Sequence, residues 1–161
     1  NTGSTFAKRL RGFDVKVLAV DPYKTGFGDE FVQESTMDEV FREADVVSLH
    51  IPLTDETRYL VNENWLNRFE KNIYLINTAR GKCLNTTDFV KALNSGKVLG
   101  AALDVLEYET VSFEQLDQIP APLQALIDSD KTVLSPHIAG WTHESNRKMA
   151  EILVGKIGEL V

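Results

Sequence analysis

The chain has 161 residues, of which 43% are hydrophobic, so it is long enough for one domain with a sizeable core. Its 17 basic and 24 acidic side chains give a formal charge of -7, which argues against a nucleic-acid surface or a polybasic membrane patch. No apolar run approaches the roughly 20 residues that cross a bilayer, and no signal peptide opens the chain. The single cysteine excludes an internal disulfide and is typical of a reducing compartment, so we expect a cytoplasmic protein.

Helical and strand patterns alternate along the chain. The first predicted helix opens at Thr5, with Phe6, Leu10 and Phe13 on its buried face and Gly12 as its stop. The predicted strands are Val15–Val20, Phe31–Gln33, Val46–Ile51, Ile73–Asn77, Val98–Leu103 and Thr132–Leu134. The other predicted helices run from a capping box at Thr36 to Ala44, from Asn62 to Phe69, from a cap at Thr86–Asp88 to Ser95, and onward from His143. The helix that begins at His143 places five apolar residues on one face: Met149, Ile152, Leu153, Ile157 and Leu160. Residues 106–130 are predicted to be loop with short helices.

This alternation predicts an α/β fold with a doubly wound parallel sheet. Crossovers of one hand bring the carboxyl ends of the strands to a common edge, where ligands bind in such folds. Asp21, Arg80, the acidic cluster after Asp104, and His137 all follow predicted strands. The sequence therefore predicts a functional site at that edge.

The most informative stretch is the end of the strand Ile73–Asn77, where an apolar run stops at a polar turn containing Arg80 and Gly81. A guanidinium at this edge offers a planar fork of donors that suits a carboxylate or a phosphate. An arginine that only caps the loop or pairs with a surface carboxylate explains this stretch equally well.

The first forty residues carry half of a dinucleotide-binding fingerprint. Gly3 precedes a helix and a strand, and Asp21 follows that strand 18 positions later. Gly3 would be the third glycine, needed for close packing of helix on strand, and Asp21 would accept hydrogen bonds from the ribose hydroxyls. The first strand and the first two glycines of the fingerprint are absent from this sequence.

Five motifs in a fixed order resemble one family over essentially the whole chain. They are Asp21–Tyr23, Leu49–Thr54, Asn77–Gly81, Gly100–Glu109 and Ser135–Trp141. Together they resemble the NAD-binding domain of the D-isomer-specific 2-hydroxyacid dehydrogenases, the group that includes D-lactate and D-3-phosphoglycerate dehydrogenases. The resemblance implies a Rossmann-like sheet that lacks its first strand in this chain, and NAD as the cofactor.

The resemblance also implies a catalytic set. Arg80 would hold the carboxylate of a 2-oxo acid and polarise its carbonyl. His137 would protonate the carbonyl oxygen as hydride arrives, and Glu109 would be the carboxylate that holds and stabilises the protonated ring. Glu107 lies at the wrong motif position for that partner and is expected to be a solvated loop charge.

The cofactor-binding residues that the resemblance implies are Gly3, Asp21, Pro22, His50, Pro52, Thr54, Thr78, Ala79, Arg80, Asp104, His137 and Gly140. Asp21 would select NAD over NADP, because a 2′-phosphate would meet a carboxylate. Thr78 and Ala79 would flank the nicotinamide, Asp104 would lie near its carboxamide, and Gly140 would allow close backbone approach beside His137. His50 could equally be a histidine satisfied at a strand end.

Four other residues have simpler expectations. Trp141 is expected either to line the substrate pocket or to pack against the rest of the fold. His143 is expected to be a helix cap or a surface residue. Trp65 is expected in the core, and Cys83 is expected to be an inert buried thiol. No metal site is expected.

Full-length members of this family have a second, substrate-binding domain that is absent here. We therefore expect residues 1–161 to be an NAD-binding domain that is incomplete at its N-terminus and nearly inert alone. We expect the complete parent protein to be a homodimer that acts on small 2-oxo and 2-hydroxy acids. Two other classes stay open: a non-catalytic, corepressor-like NAD sensor, and a different doubly wound protein that binds S-adenosylmethionine or a nucleotide. The second would explain Asp21 but not the set of Arg80, Glu109 and His137.

Overall fold

The computed structural model describes residues 2–109 and 119–159. Its helices are α1 (Thr2–Arg9), α2 (Met37–Glu43), α3 (Glu63–Asn67), α4 (Thr86–Ser95), α5 (Ala121–Ile127) and α6 (His143–Gly158). Its strands are β1 (Val17–Ala19), β2 (Val32–Glu34), β3 (Val46–Leu49), β4 (Ile73–Asn77), β5 (Val98–Leu103) and β6 (Thr132–Leu134). A short 3₁₀ turn, Gly81–Cys83, follows β4.

Every strand pair is parallel, which confirms the predicted α/β fold. β1 pairs with β2, and a separate sheet has the order β3-β4-β5-β6. Within the described ranges β1 and β3 are not paired with each other. The register sets Asn77 of β4 opposite Leu49 and Leu103, so three strand ends and the turns that follow them lie side by side.

The core lies around β4 and β5 and under α3 and α4. Trp65 and Phe69 pack edge to face with ring centroids 4.8 Å apart, and Phe41 closes the aromatic group, which confirms the expectation for Trp65. Cys83 is fully buried as expected, and burial raises the pKa of its thiol. Such a thiol carries little of the reactive thiolate at neutral pH.

Helix ends follow the capping chemistry of the sequence. Thr36 caps α2 by accepting from the backbone N–H of Glu39, as the capping box predicts. The cap of α4 is Asn85 rather than Thr86–Asp88, because the Asn85 side chain accepts from the N–H of Asp88 at 3.1 Å. Gly96 ends α4 at a φ of +79°, a left-handed conformation that glycine adopts without steric cost.

Two predictions about apolar faces are wrong within the described residues. α1 begins at Thr2, not Thr5, and ends at Arg9. Gly12 then turns the chain at a φ of +94°. Phe13 is therefore 71% exposed and does not lie on a buried helix face. α6 forms as predicted but has no buried residue, because no described element covers its apolar side; Leu160 lies outside the described residues. Among residues 2–109 and 119–159, none of the helices combines the length and apolar character that a membrane crossing requires.

Candidate active site

The turn after β4 is shaped by Asn77, whose side chain is fully buried. Its Oδ1 accepts from the N–H of Ala79 at 3.0 Å, and its Nδ2 donates to the carbonyl of Arg80 at 3.1 Å. The exposed Arg80 donates through Nη1 to the carbonyl of Ala79 at 2.6 Å. Arg80 belongs to no ion pair in the described part of the chain, which disfavours the reading of a surface charge pair.

Gly81 brings this turn into backbone contact with the segment that follows β5. A Cβ at Gly81 would lie 1.9 Å from the carbonyl oxygen of Leu106 and 2.7 Å from the nitrogen of Glu107. These distances leave no room for any side chain, because the clashing atoms belong to the backbone. Arg80 is therefore held directly against the turn that carries Glu109.

The turn Leu106–Glu109 orients the Glu109 carboxylate. Its Oε1 accepts from the N–H of Leu106 at 2.7 Å, and the N–H of Glu109 donates back to the carbonyl of Leu106 at 3.2 Å. Its Oε2 lies 2.8 Å from Nδ1 of His137. The Glu109 side chain is 20% exposed and the His137 side chain 48% exposed, so the imidazole is directed by the carboxylate yet reachable from solvent.

His137 adopts a φ of +57°, a left-handed conformation that costs a non-glycine residue about 1 kcal/mol or more. Asp104 stabilises this conformation through hydrogen bonds. Its carbonyl accepts from the N–H of His137 at 2.8 Å, while its carboxylate accepts from the N–H groups of Ile138 and Ala139, each at 2.9 Å. The hydroxyl of Ser135 donates to the same carboxylate at 2.6 Å.

These bonds also set the charge of Asp104, which is 6% exposed. Burial alone would raise its pKa, but the bonds from Ser135 Oγ and from the N–H groups of Ala139 and Ile138 outweigh burial and lower the pKa below its ordinary value. Asp104 is therefore an anion at neutral pH, and its hydrogen bonds hold the loop 135–139 that contains His137 in place. Its expected proximity to the nicotinamide carboxamide stays a prediction.

A Cβ at Gly140 would meet no atom of the described residues within 4 Å, so the close backbone approach expected at Gly140 stays a prediction. Gly81 is the glycine at which two backbones of the site touch. Trp141 is 80% exposed, so it does not pack on the described part of the chain; its place in a substrate pocket stays a prediction. His143 begins α6 beside the cap Thr142 and is exposed, as expected.

The segments expected around adenosine also contact each other. Asp21 Oδ1 accepts from the N–H of Tyr23 at 3.0 Å, and the Tyr23 hydroxyl donates to the carboxylate of Glu56. Thr57 folds the facing loop, since its Oγ1 donates to the carbonyl of Pro52 at 2.6 Å and accepts from the N–H of Thr54 at 2.8 Å. The exposed turn from Asp21 through Pro22 and the Pro52–Thr54 loop therefore face one another.

His50 lies between α1 and the end of β3. A Cβ at Gly3 would approach the Cβ of His50 to 3.1 Å, which explains the need for glycine where this helix packs. The ring packs 5.3 Å from that of Phe6, and Nε2 lies 3.0 Å from Ser48 Oγ. Burial lowers the pKa of His50, so the ring is neutral at pH 7. These contacts fit a satisfied strand-end histidine, and its contact with a cofactor stays a prediction.

The structure thus joins Arg80, Glu109 and His137 through neighbouring turns. Four residues support these turns in ways that the sequence did not indicate: Asn77, Gly81, Ser135 and Glu107. All four stand inside the quoted motifs, at or after the ends of strands, so their positions carried a signal. The expectation for Glu107 is wrong, because its half-buried carboxylate accepts from the N–H of Thr86 at 2.9 Å.

The chain is similar to known proteins over most of its length. The family model for the D-isomer specific 2-hydroxyacid dehydrogenase NAD binding domain matches residues 1–139. A glyoxylate reductase of Thermofilum pendens is 40% identical over 153 residues, covering 93% of this chain and 42% of that protein. A hydroxypyruvate reductase of Thermotoga maritima is 36% identical over 159 residues, covering 98% of this chain and 49% of that protein.

Solved structures agree as well. The NAD complex of a D-isomer specific 2-hydroxyacid dehydrogenase from Lactobacillus delbrueckii ssp. bulgaricus superposes with a TM-score of 0.85 at 34% identity, covering 96% of this chain and 48% of that one. The D-lactate dehydrogenase of Aquifex aeolicus, complexed with NAD and lactic acid, gives 0.83 at 32% identity, covering 98% and 50%. The chain spans about half the length of the curated relatives it matches. The chain belongs to the D-isomer-specific 2-hydroxyacid dehydrogenase family, and its residues 1–139 match the NAD-binding domain of that family.

Proposed function

We propose that the complete protein transfers a hydride between NAD(H) and a small 2-oxo or D-2-hydroxy acid. The observation that carries this proposal is the Glu109–His137 hydrogen bond of 2.8 Å, beside the turn that presents Arg80. A carboxylate-directed imidazole next to an exposed guanidinium suits the proton transfer and the anion binding that such a reaction needs. This pairing argues against a sensor that has lost catalysis.

His137 is proposed as the proton donor in reduction. Glu109 engages Nδ1, so the proton at Nε2 is the one available to the substrate carbonyl oxygen. A bound nicotinamide supplies the hydride to the carbonyl carbon. In the oxidation direction neutral His137 takes the hydroxyl proton back, and the Glu109 carboxylate stabilises the imidazolium that forms.

Arg80 is proposed to bind the substrate carboxylate. Asn77 fixes the backbone on both sides of it, and Gly81 holds its turn against the turn of Glu109. A guanidinium on this support can orient the acid while leaving the carbonyl near His137. The names of the relatives favour small acids such as glyoxylate, hydroxypyruvate and pyruvate as the first substrates to test.

Two features of the described residues fit NAD. Asp21 follows β1 and is exposed. Gly3 lies at the start of α1, so close to His50 that a side chain at Gly3 would displace the His50 ring. Asp21 would bind the ribose hydroxyls, with Pro22, Pro52 and Thr54 along the adenosine side. Thr78 and the buried Ala79 would support the nicotinamide side.

We expect Asp21→Ser to relax the preference for NAD by about tenfold or more, because a 2′-phosphate would no longer meet a carboxylate. The measurement is kcat/KM with NADH and with NADPH. Asp38→Ser, which removes the same charge from α2, is the control and should leave the ratio unchanged. Equal use of both cofactors by the unmutated enzyme would contradict the assignment of Asp21.

Three further proposals concern the whole protein. Residues 1–161 would act with a separate substrate-binding part of the polypeptide and be nearly inert without it. The parent would work as a homodimer in the cytoplasm. Sedimentation velocity on the complete protein tests the dimer, and activity of the isolated residues 1–161 above the background rate would contradict their expected inertness.

The direct test of the function is a spectrophotometric NADH assay on the complete protein with a panel of 2-oxo acids. NADH consumption with formation of the D-hydroxy acid is the expected result. NADH binding without turnover of any acid would favour the non-catalytic NAD sensor instead. Failure to bind NADH would favour a binder of a different nucleotide.

A further inference from the structure

The Glu107 carboxylate is directed at the first turn of α4. Its Oε2 accepts from the backbone N–H of Thr86 at 2.9 Å, and the same carboxylate raises the pKa of the neighbouring Tyr59 hydroxyl. Thr86 is almost completely buried, so its N–H is a fixed donor. The Glu107 side chain therefore attaches the Leu106–Glu109 turn to the first residue of α4.

This attachment satisfies a need of the helix. The first N–H groups of an α-helix have no acceptor within it, and a negative charge at this end is favourable. Asn85 takes the N–H of Asp88, whereas Glu107 takes that of Thr86. The carboxylate is thereby fixed by a donor that the helix itself holds in place.

The opposite side of the same turn is fixed by Gly81. The backbone of Leu106 and Glu107 lies in direct contact with Gly81, so the turn is enclosed between the arginine turn and α4. Leu106 is also the residue whose N–H fixes Oε1 of Glu109. A shift of Leu106 would therefore move the carboxylate that directs His137.

We propose that Glu107 is a positioning residue that keeps Glu109 directed at His137 by attaching their shared turn to α4. The inference rests on the proposed function. Among the described residues, the charged and titratable groups around this turn include Arg58, Tyr59, Arg80, Asp104, Tyr108, Glu109 and His137, and Glu109 and His137 form the acid–base pair.

The test compares Glu107→Ala, Glu107→Gln and the control Asp88→Asn in the complete enzyme. Asp88 lies in the same first turn of α4 and accepts from the N–H of Glu63 at 3.2 Å, so its variant removes a comparable charge away from Glu109. We expect Glu107→Ala to lower kcat for reduction about tenfold and to move its pH profile to lower pH. Glu107→Gln keeps one acceptor for Thr86 and should lie between Ala and the unmutated enzyme. The control should keep the profile, and the Kd for NADH should stay within about twofold in all variants.

Equal shifts in Glu107→Ala and Glu107→Gln would overturn positioning, because they would show an effect of charge alone. An unchanged pH profile in folded Glu107→Ala would overturn it too. Should Glu107→Ala fail to fold, Glu107→Asp decides, because it keeps the charge but shortens the reach to Thr86: a shift in the same direction supports the proposal, and no shift overturns it.

A readout independent of turnover separates this inference from the proposed function. The His137 ring is titrated by ¹⁵N NMR in the unmutated protein and in Glu107→Ala. A titration midpoint moved to lower pH supports positioning even where the unmutated protein reduces no 2-oxo acid, an outcome that would reject the function alone. An unmoved midpoint in an active enzyme would reject the positioning role alone.

Discussion

Replacing His137 by glutamine should lower the rate of 2-oxo-acid reduction by about 10²–10⁴-fold. Glutamine keeps a polar side chain near Glu109 but has no acidic proton to give to the carbonyl oxygen. Single-turnover measurements with NADH and the best substrate of the panel give the rate of the chemical step directly.

The matched control is His143→Gln, which changes an exposed histidine at the start of α6. It should keep the rate of the unmutated enzyme. The Kd for NADH should stay unchanged in both variants, because neither residue is assigned to the ribose or the pyrophosphate. Near-normal turnover in His137→Gln would remove His137 as the acid.

Arg80→Lys should lower kcat/KM for the 2-oxo acid by about 10²-fold. Lysine keeps the charge but presents a single ammonium in place of a planar fork, so the acid is neutralised without being oriented. The bond from Arg80 to the carbonyl of Ala79 also depends on the guanidinium geometry. Steady-state kinetics and NADH titration measure the two effects separately, and NADH affinity should change much less.

Arg42→Lys on α2, an exposed arginine paired with Glu43, serves as the control and should leave kcat/KM unaltered. Full activity of Arg80→Lys would show that a simple positive charge suffices, and Arg80 would lose its role in orienting the substrate. A parallel loss of NADH affinity would place Arg80 at the cofactor instead.

The sheet could be predicted best from the sequence at its two central strands, β4 and β5. β4 and β5 have the bounds that their apolar runs indicate, because Ile73 and Val98 begin runs that end at polar residues. β1 and β3 are shorter than their apolar runs, since Val20 and Ile51 lie beyond the last ladder pairs. The apolar pattern predicts which segment becomes a strand. The length over which that strand is paired depends on the neighbouring strand in the sheet.

Contacts between turns could not be predicted in the same way. Gly81 and Gly140 look equivalent in sequence, and only the fold sets the backbone of Leu106 against the first of them. Glu107 looks like a loop charge until the first turn of α4 supplies a donor for it. Both contacts join segments more than twenty residues apart, which no local pattern of residue types encodes.

The measurement that tests the acid–base pair most directly is the pH dependence of reduction and oxidation in the unmutated enzyme and in Glu109→Gln. Reduction needs protonated His137 and should fall as pH rises, whereas oxidation needs the neutral ring and should rise. Glutamine removes the negative charge that lies 2.8 Å from Nδ1 of His137 and favours the imidazolium. We therefore predict that the reduction profile of Glu109→Gln moves to lower pH with NADH affinity unchanged. A profile that stays in place would contradict the pairing of Glu109 with His137 as the acid–base unit.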